Sequence, residues 1–305
     1  MQNSNKIIDG SAYAKQYLSQ LADKVRAIKE SLNLTPTLAV VLVGDNPASL
    51  VYVHNKIKRA QEIGIKVLFN HLPHDVSQEE LTAKISDFSA DSVVNGILLQ
   101  LPLPPHLDAN TALNMIDPNK DVDGFHHINV GKLNTGQQCL EPGTPTGVML
   151  LIKHVLGTDL SGLKAVILGR SQIVGKPMAS MLLRENCTVT VMHSHSRDLV
   201  AESQTADILI SAVGKPHMVK ANWIKPGALV IDVGIVRVDD VLYGDVDFED
   251  ILPIVGHITP VPGGVGPMTV ACMLANTIKA VYIQFKIEKE IDDWSNDKRV
   301  MDNPE

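Results

Sequence analysis

Apolar residues recur along this chain with two periods, and the periods alternate. Over residues 10–32 they fall at three- and four-residue steps (Tyr13, Tyr17, Leu21, Val25, Ile28), which predicts an amphipathic helix. Thr35-Pro36 breaks the pattern. The unbroken apolar run 38–43 then predicts a buried strand, ended by Gly44-Asp45-Asn46-Pro47. A helix is expected over about 49–62, closed by Gly64, and a second strand over 67–72. Ser77 with Glu80 three residues on has the form of a helix-starting capping box. A third strand is predicted over 95–99. This β-α-β-α-β alternation implies a parallel sheet with helices on its faces, whose ligands sit beyond the carboxyl ends of the strands.

The stretch 100–105 (QLPLPP) is too proline-rich for a helix or a central strand. An acidic turn follows at 117–124, and residues 131–145, with their glycines, prolines and polar groups, read as a linker. Residues 146–156 read as an interdomain helix. A second α/β unit is expected from Leu163 to about Val236, with strands over 165–168, 188–192, 207–211 and 229–233. A hairpin-like piece over 238–248, a further strand over 254–259, the loop 260–267 and a long helix from Met268 to about Lys286 complete the pattern. The tail after Glu288 is charged and expected to fray.

Composition narrows the function classes. With 305 residues the chain has room for two domains, and 45% hydrophobic residues argue against global disorder. A formal charge of −7, with no basic run, disfavours nucleic-acid binding. The N-terminal residues are polar with no signal-peptide core, and no apolar run approaches the roughly 20 residues of a membrane span. Cys139, Cys187 and Cys272 lack metal-like spacing and read as reduced thiols of a cytosolic protein. His126-His127 and His193-x-His195 lack the acidic or thiol partners of a tetrahedral set, so no metal is expected.

Candidate chemistry begins at residues 164–186. The run Ala165–Leu168, then Gly169, Arg170, Ser171 and Gly175, then an apolar-periodic segment, reads as strand, tight turn and helix, with Pro177 early in the helix. Such a turn aims backbone N–H groups at one spot that suits a phosphate. The strict G-x-G-x-x-G pattern is absent, so an ordinary glycine-ended turn is the competing reading. NAD sites usually carry an acid near the end of the second strand. Here the strand end is followed by His193-Ser194-His195-Ser196, and no acid comes before Asp198. With Arg170 in the turn, that set favours NADP over NAD.

Tyr52 and Lys56, four apart on a helix, share a face, as would an ordinary surface pair. A lysine beside an aromatic ring can also serve as general acid or base. Gln100 ends the third strand, where ligands bind, and reads as an orienting amide or simply a polar strand end. Asp121 and Asp123 are candidates for gripping an amidine-like edge, since a carboxylate accepts two parallel N–H bonds; a solvated acidic turn is the alternative. Pro262, Gly263, Gly264 and Gly266 cannot hold regular structure and either lay backbone against a ligand or merely precede a helix.

Six segments then occur together in order: YVHNK with Tyr52 and Lys56, QLPLP from Gln100, KDVDGFH from Lys120, PGTPTG from Pro142, GRSQIVGKP from Gly169 and PVPGGVGPMT from Pro260. From Gly10 to about Ile287 the chain closely resembles the bacterial-type bifunctional methylenetetrahydrofolate dehydrogenase/methenyltetrahydrofolate cyclohydrolases. The resemblance implies an α/β fold of two domains with a cleft between them. One would be an N-terminal three-layer folate/catalytic domain, residues 1–143 and 268–305. The other would be a Rossmann-like NADP-binding domain, residues 144–267.

The resemblance also implies the site. Lys56 would be the central catalytic residue, positioned by Gln100. Asp123 would hold the pterin amino-pyrimidine edge, Tyr52 would stack near the folate ring, and Pro262 and Gly263 would flank the folate. Gly169, Arg170 and Ser171 would hold the NADP phosphates with Ser194 nearby, while Thr144 and Ile235 would lie near the nicotinamide. A cytoplasmic homodimer is implied, paired through the cofactor domain. Its role would be one-carbon metabolism and tetrahydrofolate interconversion, feeding purine, histidine and methionine biosynthesis, without nucleic-acid or membrane partners. One departure bears on how tightly the 2′-phosphate is held: His195 stands where many members carry Arg or Lys.

Overall fold

The computed structural model describes residues 4–287 apart from Asp240; the charged tail after Glu288 lies outside the described residues. The chain forms two compact units. Within the described residues, one comprises 16–143 and 270–287 and the other 4–15 and 144–269.

The first unit is built on a parallel sheet of β1 (Thr37–Val43), β2 (Lys66–Leu72) and β3 (Gly96–Leu99) in the order β2-β1-β3. β1 is buried along its whole length, as its unbroken apolar run requires, whereas the edge strand β2 alternates between half-buried and exposed positions. Helix α1 (Gly10–Leu32) buries the stripe Tyr13, Tyr17, Leu21, Val25 and Ile28. Helix α2 (Pro47–Glu62) starts two residues before the expected position. Pro47 sits at its first turn, where a missing N–H costs nothing, and the Asn46 side chain accepts from the Ala48 and Ser49 N–H groups. Helix α3 (Gln78–Ala90) carries the capping box of Ser77 and Glu80. Two short helices follow, α4 (Ala109–Leu113) and α5 (His127–Asn134). α5 occupies part of the stretch read as a linker, because the His126 ring accepts from the Ile128 N–H and caps it.

The second unit holds a five-stranded parallel sheet in the order β10-β7-β6-β4-β5. Its strands are β4 (Lys164–Leu168), β5 (Thr188–Met192), β6 (Ile208–Ser211), β7 (Leu229–Asp232) and β10 (His257–Ile258). An antiparallel hairpin of β8 (Val236–Val238) and β9 (Val241–Tyr243) follows β7. Helices α6 (Gly143–Leu156), α7 (Gly175–Arg184), α8 (Leu199–Ser203) and α9 (Phe248–Ile251) supply the crossovers and connections. Val166, Leu168, Leu209, Val230, Ile251 and Ile258 belong to its buried core. Residues up to Lys15 group with this unit because Ile7 bridges Ile258 and the Ile8 N–H donates to the Ile258 carbonyl. Helix α10 (Val265–Gln284) begins three residues before the expected start, so Gly266 and Pro267 lie inside its first turn, where proline is tolerated.

Candidate active site

The first chemical cluster lies at the carboxyl end of the β2-β1-β3 sheet. The Gln100 backbone N–H donates to the Val41 carbonyl, which fixes the residue just past β3. Its side-chain amide donates to the Leu101 carbonyl at 2.5 Å, and that bond turns the amide oxygen the other way. Lys56, half-buried on α2, donates to this oxygen at 3.0 Å. Gln100 thus holds the Lys56 ammonium by its only acceptor. Tyr52, one turn earlier on the same face, is 47% exposed, so its ring is free to cover a planar ligand.

The acidic turn supplies the fourth member. Asp121 bridges Ile97 in parallel, and the Ile97 N–H donates to the Lys120 carbonyl. Two residues further on, Asp123 sits in the tight turn that the Gly124 N–H closes by donating to the Asp121 carbonyl. Burial pushes the half-buried Asp123 up to about 6; the Lys56 ammonium pulls it down, and Asp121 raises it further. Lys56 and Asp123 therefore share one electrostatic site.

Asp121 and Asp123 do different work. Asp121 is 1% exposed, and its Oδ2 accepts from the His126 N–H and the Asn129 amide, tying the turn to α5. It is a brace, not a ligand group, which leaves Asp123 as the carboxylate of the turn that faces the Lys56 side. Lys120, whose role the sequence did not disclose, is also buried. Its ammonium donates to the carbonyls of Phe88, Ser89 and Asp91 and so closes the end of α3. A lysine set among the acids Asp117, Asp121 and Asp123 of one turn is the signal that could have marked it.

The second cluster lies at the carboxyl end of β4 in the other unit. Gly169 has φ +122°, and a Cβ there would come within 2.4 Å of the Ala212 carbonyl oxygen. A Cβ at Gly175 would come within 2.2 Å of the Gly169 carbonyl oxygen. Both glycines are required for so tight a strand-to-helix turn. The Ser171 hydroxyl accepts from the Val174 and Gly175 N–H groups at 3.1 and 3.4 Å, which sets the start of α7. Arg170 and Ser171 are exposed on this turn.

At the end of neighbouring β5, the His193 N–H donates to the Ser196 hydroxyl and the His195 N–H to the His193 ring, leaving Ser194 exposed at the tip. Burial, then the Arg170 guanidinium and the His195 ring, hold His193 below its ordinary value. Arg170 and His195 are thus both electrostatically adjacent to His193. A glycine-lined turn beside three cationic or cation-forming groups and two hydroxyls fits a phosphorylated dinucleotide.

The remaining candidates lie in the same unit. Ile235, 43% exposed, follows β7 and is within ordinary contact of Gly266. The Thr144 hydroxyl pairs with that of Thr269 at 2.9 Å. Gly263 has φ +102°, and its carbonyl accepts from the Ser11 N–H, which anchors the Pro262-Gly263 loop to the start of α1. Among the described residues no group of three His, Cys, Asp or Glu side chains has the arrangement of a metal site.

Comparison with known proteins decides the family. The model described as the tetrahydrofolate dehydrogenase/cyclohydrolase catalytic domain matches residues 8–123, and that of the NAD(P)-binding domain of the same name matches residues 142–285. The chain belongs to the tetrahydrofolate dehydrogenase/cyclohydrolase family. Among curated relatives, the bifunctional protein FolD 2 of Paracoccus denitrificans is 54% identical over 282 residues, covering 91% of this chain and 93% of its own. The crystal structure of the bifunctional FolD dehydrogenase/cyclohydrolase from Campylobacter jejuni superimposes with a TM-score of 0.89 at 45% identity, covering 91% of this chain and 99% of that one. The Trypanosoma brucei dehydrogenase-cyclohydrolase, complexed with NADP and an inhibitor, gives 0.86 at 36% identity, with 92% and 98% covered. The two family models thus match in turn the stretch that holds the first cluster and the stretch that holds the second.

Proposed function

We propose that this chain oxidises 5,10-methylenetetrahydrofolate to the 5,10-methenyl compound with NADP and then hydrolyses that product to 10-formyltetrahydrofolate. The observation that carries the reading is the Lys56–Gln100 bond beside Asp123, in a chain whose two halves both match this family. NADP, when bound, accepts the hydride. The unit of 16–143 and 270–287 carries the folate, and the unit of 144–269 carries the cofactor.

Asp123, when ionised, accepts two N–H bonds from the amino-pyrimidine edge and fixes the pterin. Tyr52 covers the ring. Lys56 moves protons at the one-carbon bridge while water adds to the methenyl carbon and the ring opens. Gln100 holds the Lys56 nitrogen at one position throughout. Gly169, Arg170 and Ser171 hold the cofactor phosphates, with Arg170 and Ser194 at the 2′-phosphate. Ile235 and Thr144 line the nicotinamide end, and Pro262 and Gly263 border the folate.

A cytoplasmic homodimer without nucleic-acid or membrane partners belongs to the same reading. The net charge of −7 supports it. So does the absence, among the described residues, of a helix long and apolar enough to cross a membrane. β5 is the last strand of its sheet order, which suits pairing through the cofactor unit.

A coupled assay tests the function. With methylenetetrahydrofolate and NADP⁺, absorbance of NADPH and of the methenyl compound rises, and the methenyl signal then decays. With NAD⁺ in a parallel cuvette the rate is lower. No NADPH formation with the folate present overturns the reading.

A further inference from the structure

Two buried carboxylates in the cofactor unit have no role in the chemistry above. Asp232, at the end of β7, is 3% exposed; Asp245, after the β8–β9 hairpin, is fully buried. They interlock. The Asp245 and Gly234 N–H groups each donate to Asp232 Oδ1 at 3.0 Å, and the Val246 N–H donates to Oδ2 at 2.9 Å. Asp245 in turn accepts from the Val213 N–H at 2.7 Å, the Lys215 N–H at 2.8 Å and the Ser211 hydroxyl at 3.0 Å.

The glycines beside them are reciprocal. A Cβ at Gly234 would lie 2.2 Å from the Asp245 carboxyl, and one at Gly244 would lie 2.0 Å from Asp232 Oδ2. Each aspartate occupies the space that the other's neighbouring glycine leaves open. Asp232-Val-Gly234 and Gly244-Asp-Val246 are therefore two halves of one device, each an aspartate with a glycine beside it that makes room for the other aspartate.

Two like charges this close are expensive to bury. Burial raises Asp232 to about 7 against the pull of the Val246 and Asp245 N–H groups, and the Asp245 charge adds to the rise. A core made only for stability would not need them, since apolar residues fill a sheet end at lower cost. What the pair does hold is loop backbone. Five N–H groups converge on it, two from the loop after β6 and one from the loop after β7. The loop after β6 begins with Ala212, whose carbonyl oxygen limits the space at Gly169 to 2.4 Å. The loop after β7 continues from Gly234 directly into Ile235.

We propose that Asp232 and Asp245 are positioning residues for NADP: the pair holds the loop after β6 against the phosphate turn at Gly169 and the loop after β7 that presents Ile235, so that both cofactor-facing loops keep one arrangement. The proposal rests on the cofactor reading given above. Asp245 governs the phosphate side through Val213, and Asp232 governs the nicotinamide side through Gly234. Asparagine at 245 keeps the shape but turns an N–H₂ toward a backbone donor, which releases the loop.

The test uses the full-length enzyme and reads the KM for NADP⁺, the dehydrogenase kcat, and the ratio of dehydrogenase to cyclohydrolase activity in one preparation. Loss of folded protein lowers both activities together and leaves the ratio alone. Asp245→Asn is expected to raise the KM for NADP⁺ about tenfold and to lower the ratio. Asp232→Asn is expected to act mainly on the dehydrogenase kcat. Where Asp245→Asn folds, as judged by circular dichroism, it decides: an unchanged KM and ratio overturn the proposal. Where it does not fold, Ser211→Ala decides. It removes only one hydroxyl from the pair and is expected to raise the KM about threefold; an unchanged KM overturns the proposal. A wild-type enzyme with neither activity would instead overturn the function itself.

Discussion

The Lys56 ammonium donates to the side-chain oxygen of Gln100 at 3.0 Å, and Gln100 can offer that oxygen because its N–H₂ is held by the Leu101 carbonyl. One amide thus holds an otherwise flexible lysine at one position. Lys56→Met is expected to abolish hydrolysis of methenyltetrahydrofolate. Gln100→Ala, which keeps the lysine but frees it, is expected to slow the same step by about 10²-fold, the scale of a misplaced general acid–base group. The decay of methenyl absorbance in the absence of NADP measures both. Normal turnover in Lys56→Met would remove the lysine from the mechanism.

Asp123 is expected to make folate recognition depend on pH. Its acceptor role needs the ionised form, and burial raises it to about 6 in the free protein. The KM for the folate should therefore be level above about pH 7 and climb as pH falls through 6, approaching tenfold per unit. Asp123→Asn, which has no carboxylate to protonate, should show a high KM that varies little over the same range. KM measured between pH 5 and pH 8, in steps of about half a unit, checks this. A wild-type profile as flat as the variant's would show that Asp123 does not bind the ring as a carboxylate.

The two sheets were legible because β1 and β4 are unbroken apolar runs after their first residues and α1 keeps one stripe over 23 residues. α5 was not, because its cap is the ring of His126 rather than a Ser, Thr, Asp or Asn side chain, and Gly131 inside it reads as a breaker. The starts of α2 and α10 were set too late for a related reason: Pro47 and Pro267 stand in first turns, where proline is harmless, and a breaker reading cannot tell that position from a loop. In the site, residue types named the chemistry, but Asp121 and Asp123 looked alike. Neighbours two apart in an acidic turn differ only in what surrounds them, and α5, which takes up Asp121, was itself hidden. Asp232 and Asp245 were invisible for the same reason, being joined by a hairpin whose register only the fold supplies.

Arg170 should carry the choice between cofactors. It is exposed on the phosphate turn, beside His193 and His195, where NAD sites carry an acid. Arg170→Ala is expected to raise the KM for NADP⁺ by about tenfold or more, the loss of one charge-assisted bond to phosphate, and to leave that for NAD⁺ nearly unchanged. Parallel titrations with the two nucleotides at saturating folate give the ratio. Equal losses for both would move Arg170 from the 2′-phosphate to the shared pyrophosphate.

Lys120 supports the folate cluster from behind. Its ammonium closes α3 by donating to the carbonyls of Ser89 at 2.7 Å and Asp91 at 2.8 Å, and its own carbonyl accepts from the Ile97 N–H at 2.7 Å. Three residues later in the chain is Asp123. Lys120→Met keeps the methylenes but leaves those α3 carbonyls without their donor, at a cost of about 1–3 kcal/mol. The melting temperature should fall by several degrees, roughly 2–4 °C per kcal/mol for a domain of this size. Because the damage is local to the Asp123 turn, the KM for the folate should rise while that for NADP⁺ stays near its wild-type value. Scanning calorimetry and the two KM values decide it together: a lower melting temperature with both KM values unchanged would make Lys120 a helix cap and nothing more.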